Sequence, residues 1–284
     1  MAPEAESPTM APKDDYIFSR DFLDINRFVT VLWVKIFDYV IHPTIPKDGQ
    51  DLRVADIGTG TGATSIWLLD ARDLVAPSAR LEGFDISLDG VPPADTLPSN
   101  VKFSHWDLKE DLPEDLVGVF DIVHLRSLSF VLLNDQVPAA VQRLFKMLKP
   151  GGFIQWGEPD FESIRTDKAR PEIKTEGLTE LHELFSIQDP RARPTWLTGL
   201  PATLSAAGFV QVEVHKNDPP PHMAFVLHEC GLMMYEIFRR KTQNETVRQQ
   251  LGRILPLAVE ETRQGAYTTA VRWTVIARKP VGEA

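Results

Sequence analysis

Three features of this 284-residue sequence predict a doubly wound α/β fold. Short apolar runs alternate with helical periods across residues 51–158, as parallel strands joined by crossover helices require. A glycine-rich turn follows the first run directly. Two more apolar runs close the chain, each preceded by helical segments, which brings the sheet to seven strands, mostly parallel.

Each element has its own signal. Residues 1–13 carry Pro, Ala, Glu and Ser without the basic start and apolar stretch of a leader, so a disordered tail is expected. From 14 to 41 the residues Phe18, Phe22, Ile25, Val29, Trp33, Ile36, Phe37 and Val40 recur at three- and four-residue steps, which predicts a helix ended by Pro43 and Pro46. It would pack on the core or cover a substrate, and two copies could pair through it as a homodimer. Strands are expected over 52–57, 80–86, 101–106, 120–125 and 153–157. Helices are expected from 61 to 69 and over 134–148, the second stopped by Pro150-Gly151-Gly152. Beyond 159 come a charged stretch, helical around 177–187, a helix over 196–207 closed by Gly208, and a strand over 209–215. Asp218-Pro219-Pro220-Pro221 then breaks the chain. Helices over 223–240 and 245–263 and a strand over 270–277 complete it. The expected organisation is a single domain over 14–284. It has an N-terminal helical cap at 14–46, a core at 51–158, and helical insertions at 159–194 and 218–266 over a substrate.

Composition narrows the function. Acidic residues outnumber basic ones 40 to 30, for a formal net charge of −10. Nucleic-acid binding is not expected without a basic face. No apolar run approaches the ~20 residues needed to span a bilayer, and a cytoplasmic protein is expected. The single cysteine, Cys230, excludes an intrachain disulfide. It reads as a small buried hydrophobe on a Met-rich helix. No metal is expected.

The chemistry concentrates in Val54-Ala55-Asp56-Ile57-Gly58-Thr59-Gly60-Thr61-Gly62. Glycines at alternate positions between a strand and a helix permit a tight turn and let a ligand lie against backbone. The spacing is GxGxG, not the GxGxxG of dinucleotide sites, and Asp56 before it would repel phosphate but suit a cationic amine. A nicotinamide-dependent reductase is disfavoured on both counts, and a P-loop lacks its Lys-Ser/Thr. The second strand ends at Asp85-Ile86, where an acid can accept from both hydroxyls of a ribose. The third ends in Trp106-Asp107-Leu108, an acid for an adenine amino group with apolar neighbours to sandwich the ring. All three acids fall at the carboxyl ends of adjacent strands, where open α/β sheets bind ligands.

With these motifs in order (VADIGTGTG, GFD, WDL, FDIVHLRSL, LKPGGFIQWGE) the sequence resembles the class I S-adenosylmethionine-dependent methyltransferases, whose fold is Rossmann-like. Its aromatic start (YIFSRDFLDINRF) and VHLRSL strand are similar to the fungal secondary-metabolite branch, and to N-methyltransferases of diketopiperazine clusters. The resemblance implies S-adenosylmethionine as cofactor. Gly58, Gly60 and Gly62, with Thr59, would line its methionine part; Asp85 and Ile86 would hold the ribose; Trp106, Asp107 and Leu108 would flank adenine. It places His124 and Arg126 beside the methionine end or the reactive centre. The Pro-rich stretch after Asp89 departs from the family's helix there.

Methyl transfer is an in-line displacement that needs alignment and, for a weak acceptor, proton removal. Candidate bases are Glu158 at the fifth strand's end, His124 and His105 at strand ends, and His222 and His228 on a Met-rich lid helix. Each also reads as an interior or surface group without a catalytic role. Two other functions stay open: a cyclase that uses the bound sulfonium electrostatically, and a non-catalytic regulator of the same fold.

Overall fold

In the computed structural model, residues 26–60 and 66–282 are described. The 1–13 tail, the 14–25 part of the expected first helix, and Gly62 lie outside the described residues. The elements are α1 (Asn26–Phe37), β1 (Arg53–Ile57), α2 (Ile66–Arg72), β2 (Arg80–Asp85), β3 (Val101–His105), β4 (Phe120–Arg126), α3 (Val137–Met147), β5 (Leu148–Pro159), β6 (Arg165–Lys168), α4 (Glu176–Ser186), α5 (Leu200–Ala206), β7 (Val210–Asn217), α6 (Pro221–Lys241), α7 (Glu245–Gln264), β8 (Ala266–Thr269) and β9 (Arg272–Arg278).

Seven strands form one sheet in the order β3-β2-β1-β4-β5-β9-β7. The first five pair in parallel, and β9 runs antiparallel between β5 and β7. The expected mostly parallel, seven-stranded sheet is therefore present. Chain order reverses between β1 and β4, which opens a crevice at the carboxyl ends of those strands.

The central strands are buried on both faces, and alternate residues feed two cores. Val54, Ile122 and Ile276 pack with Trp67, Leu68 and Ala71 of α2 and with Ile41 and Ile45 after α1. Ala55, Ile57, Val123, Leu125, Ile154 and Trp156 pack on the opposite face with Leu144 of α3 and Leu200 and Leu204 of α5.

The crossovers after β2 and β3 contain only single 3-10 turns, at Ala94–Thr96 and Glu114–Leu116. Pro92, Pro93 and Pro98 deny the first one helical donors. The second holds Pro113 and turns back at Gly118 with φ +67. The expected 196–207 helix is instead a 3-10 turn at Leu197–Gly199 running into α5, with proline in the first turn of α5.

Outside the main sheet, β6 and β8 form an antiparallel pair that sequence periodicity did not reveal. Leu178 and Leu181 of α4 pack against Leu251, Ile254 and Ala258 of α7 in a separate cluster with Ala266 of β8. Buried Glu261 accepts the Gly177 and Leu178 N–H groups at 2.8 and 2.9 Å, satisfying the start of α4. Cys230 is buried beside Ile237, Leu32 and Met234, joining α6 to α1, and burial raises its thiol pKa. Among the described residues, no helix is long and apolar enough to cross a membrane.

Candidate cofactor and methyl-transfer site

The glycine turn starts where β1 ends. Gly58 and Gly60 have φ of +66° and +85°, the left-handed region that side chains resist. A Cβ on Gly58 would lie 2.8 Å from a methyl of Leu128, so the turn is both twisted and backed by a side chain. The Gly58 and Thr59 N–H groups donate to Phe84 O at 2.8 and 3.1 Å, which fixes the turn against β2. Gly83 beneath it admits no side chain, because its Cβ would meet the Phe103 ring at 2.5 Å.

Asp85 stands at the tip of β2, and its Oδ2 accepts the Gly60 N–H at 2.9 Å. The two expected ligand groups, glycine loop and strand-end acid, are thus one joined surface. Asp107 follows β3, half-buried, with Oδ1 accepting from the Lys109 N–H at 2.8 Å. Ile86 is half-buried beside Asp85, and Leu108 is buried. Trp106 is turned into the core, edge-on to Phe84 at 6.2 Å, with its indole N–H donating to Asp111 O at 3.2 Å. It supports this region from below instead of offering the expected open face.

Asp56 was expected to meet a cationic amine. Its Oδ1 lies 2.6 Å from His124 Nδ1, and its Oδ2 accepts the Thr59 hydroxyl at 2.8 Å. His124 is buried and lies flat on Trp67, with centroids 3.7 Å apart and planes 5° apart. Burial lowers its pKa, against the raising effect of Asp56. Trp67 in turn donates its indole N–H to Val40 O at 2.9 Å. His124 therefore forms a bracket between Asp56 and α2.

Glu158, expected as a candidate base at the end of the fifth strand, is fully buried. Its carboxylate accepts from Leu128 N–H at 2.6 Å, Ser129 N–H at 3.2 Å, Ser129 Oγ at 2.7 Å and Trp156 Nε1 at 2.8 Å. Burial pushes its pKa up to about 7, against these four donors. Arg126 ends β4 between the charges of Asp56 and Glu158, and burial lowers its pKa to about 10.

His228 is held inside the packing of α6, α7 and β8. Thr262 Oγ1 donates to Ala258 O, so it accepts from His228 Nε2 at 2.8 Å; His228 Nδ1 accepts from Thr268 N–H at 3.1 Å. Both ring nitrogens are used, and burial lowers the pKa to about 4. The expected catalytic role would require this imidazole to leave both of these bonds. His222, in the first turn of α6, and His105, at the end of β3, are exposed. His222 follows the carboxyl end of β7, on the same edge of the sheet as the glycine turn.

Sequence reasoning offered the first helix and the Met-rich helix as covers but missed the contacts they make at this edge and the aromatic pair beside them. Trp33 of α1 lies over Gly157, whose Cβ would sit 2.9 Å from the indole, and Arg126 lies 6.0 Å from the Trp33 ring. Phe130 and Phe161 meet edge to face at 5.0 Å, with Met234 in the same cluster. The glycine at 157, next to a carboxylate at a strand end, was the one local signal of that close approach.

A glycine turn, an acid bonded to it at the next strand and a second acid at the third lie together at the carboxyl ends of β1, β2 and β3. A family model for a methyltransferase domain matches residues 54–152. The chain is 35% identical over 208 residues to N-methyltransferase verN of Clonostachys rogersoniana, covering 72% of this chain and 69% of verN. It is 34% identical over 120 residues to N-methyltransferase tcpN of Claviceps purpurea, covering 42% of each. The YcgJ protein of Bacillus subtilis shares the fold, with a TM-score of 0.51 at 19% identity over 90% of this chain and 100% of that one. The chain belongs to the class I S-adenosylmethionine-dependent methyltransferases, within their fungal secondary-metabolite branch.

The described residues fit this cofactor. The positive-φ glycines leave backbone uncovered at the turn, and Asp85 and Asp107 supply acceptors at neighbouring strand tips. Gly58, Thr59 and Gly60 would hold the methionine part, Asp85 and Ile86 the ribose, and Asp107 with Leu108 the adenine. When bound, S-adenosylmethionine supplies an electrophilic methyl group with its own sulfonium leaving group.

Proposed function

We propose that this enzyme methylates a bulky, largely apolar small molecule of fungal secondary metabolism, at an amide nitrogen. The supporting observation is the apolar packing over the carboxyl ends of β4 and β5. Trp33 and Phe130, both buried, and Phe161 and Met234, both half-buried, bring aromatic and thioether groups there from α1, the post-β4 turn, the post-β5 turn and α6. Adaptable side chains of this kind suit contact with an apolar ligand that has few polar anchors. The insertions at 159–194 and 218–266, with α1, form the cap. The N-methyltransferase relatives favour nitrogen.

Alignment of the acceptor against the methyl group carries the rate, and holding two reactants in place can supply several kcal/mol. His222 and His105 are the candidate bases with exposed imidazoles, while His124 and His228 are engaged in internal bonds; His222, after β7 on the insertion side of the sheet, is the one we favour. The test incubates the protein with methyl-labelled cofactor and a panel of diketopiperazines, following S-adenosylhomocysteine release and label position. Label on an amide nitrogen is expected. Cofactor binding with no S-adenosylhomocysteine formed from any panel member would refute methyl transfer to this class. His222→Ala should lower turnover while cofactor affinity holds; unchanged turnover removes the base.

A further inference from the structure

Glu158 is too buried to touch an acceptor, yet four donors converge on it. Three of those donors belong to the turn after β4. That turn begins at Ser127, a non-glycine residue at φ +57°, whose N–H donates to Gly157 O at 2.9 Å. The left-handed residue redirects the chain so that the next two amides face the carboxylate. Leu128, held by the shortest of the bonds, then places its methyl against Gly58. The contact runs from β5 through one carboxylate and one leucine to the cofactor turn.

We propose that Glu158 is a positioning residue for cofactor binding: its ionised carboxylate fixes the 127–130 turn, and Leu128 of that turn sets the floor under Gly58. An ionised carboxylate is an acceptor only, so all four donors can be satisfied at once. Protonation puts an O–H among them. Ser129 can reverse its hydroxyl to accept it, but the set then loses an acceptor and the turn loosens. The charged group that faces this carboxylate is Arg126 at the tip of β4, itself facing Asp56 of β1. This proposal concerns the cofactor alone and stands whichever acceptor is used.

The experiment measures S-adenosylhomocysteine binding by calorimetry from pH 5.5 to 8.5, with the thermal midpoint and backbone hydrogen exchange in parallel. The wild type should bind more tightly as pH rises through about 7. Glu158→Gln keeps one oxygen for Leu128 and Trp156 but turns an NH2 toward the Ser129 amide. Losing one charge-assisted bond should weaken binding about tenfold at pH 8. The pH dependence should flatten, and the Ser129 amide should exchange faster. Leu128→Ala should weaken binding with the pH dependence of Glu158 retained in its thermal midpoint. Wild-type affinity in both variants, or a pH profile that survives Glu158→Gln, overturns the proposal. If Glu158→Gln does not fold, Ser129→Ala decides: weaker binding supports the proposal, and unchanged affinity with an unchanged profile overturns it.

Discussion

Replacing His228 by Gln tests the electrostatics of this fold at one buried atom pair. Gln can accept the Thr268 N–H and donate to Thr262, as His228 does, but it cannot titrate. His228 has its pKa lowered from 6.5 to about 4 in the folded chain. Between these values the unfolded chain binds the extra proton, so the stability tied to His228 is present above pH 6.5 and is lost as pH falls toward 4. A shift of this size corresponds to about 3 kcal/mol. Glu158 acts in the opposite sense. Its pKa is raised from 4.5 to about 7 because burial outweighs the four donors, so the folded chain favours the proton below about pH 7, and that contribution to folding is lost as pH rises through the window while the ionised form gains its donors. The two slopes offset one another from about pH 4.5 to 6.5. Urea unfolding of both proteins across pH 4 to 8 measures the difference directly, because all other titrating groups are shared. The gap in unfolding free energy between wild type and His228→Gln should change by about 3 kcal/mol from pH 7 to pH 4. Parallel profiles would refute a buried, neutral His228.

Gly58→Ala forces a Cβ into a left-handed residue and against Leu128. The backbone cost of ~1–2 kcal/mol should weaken S-adenosylhomocysteine binding about tenfold in calorimetry; unchanged affinity would separate the turn from the cofactor. His124→Phe keeps a ring on Trp67 but leaves buried Asp56 without its 2.6 Å partner. It should cost about 1–3 kcal/mol in urea unfolding, and a neutral result would show that Asp56 does not need the histidine. Trp33→Ala removes the indole over Gly157 and Arg126. The acceptor KM should rise with cofactor affinity nearly unchanged, and an unaltered KM would place the acceptor elsewhere.

The core strands, the glycine turn and the strand-end acids follow from local sequence. Val54 to Gly60 carries an apolar run, an acid and positive-φ glycines in consecutive positions, and each is a short-range signal. Asp85 and Asp107 could be read in the same way, because strand ends are marked by where apolar runs stop. The roles of His124, Glu158 and His228 could not be read so. All three are polar residues at places where a catalytic group could stand, and residue type does not say whether donors from elsewhere converge on them. Asp56 reaches His124 across 68 positions, and Glu158 takes up amides from 30 positions earlier. Nor does periodicity detect β6 and β8, four residues each and paired across about a hundred positions. The sequence by itself determined the class of fold and the cofactor, because both rest on contiguous motifs. Only the tertiary structure decided which buried side chains are brackets and which remain accessible, because burial and hydrogen-bond saturation are set by residues distant in the chain.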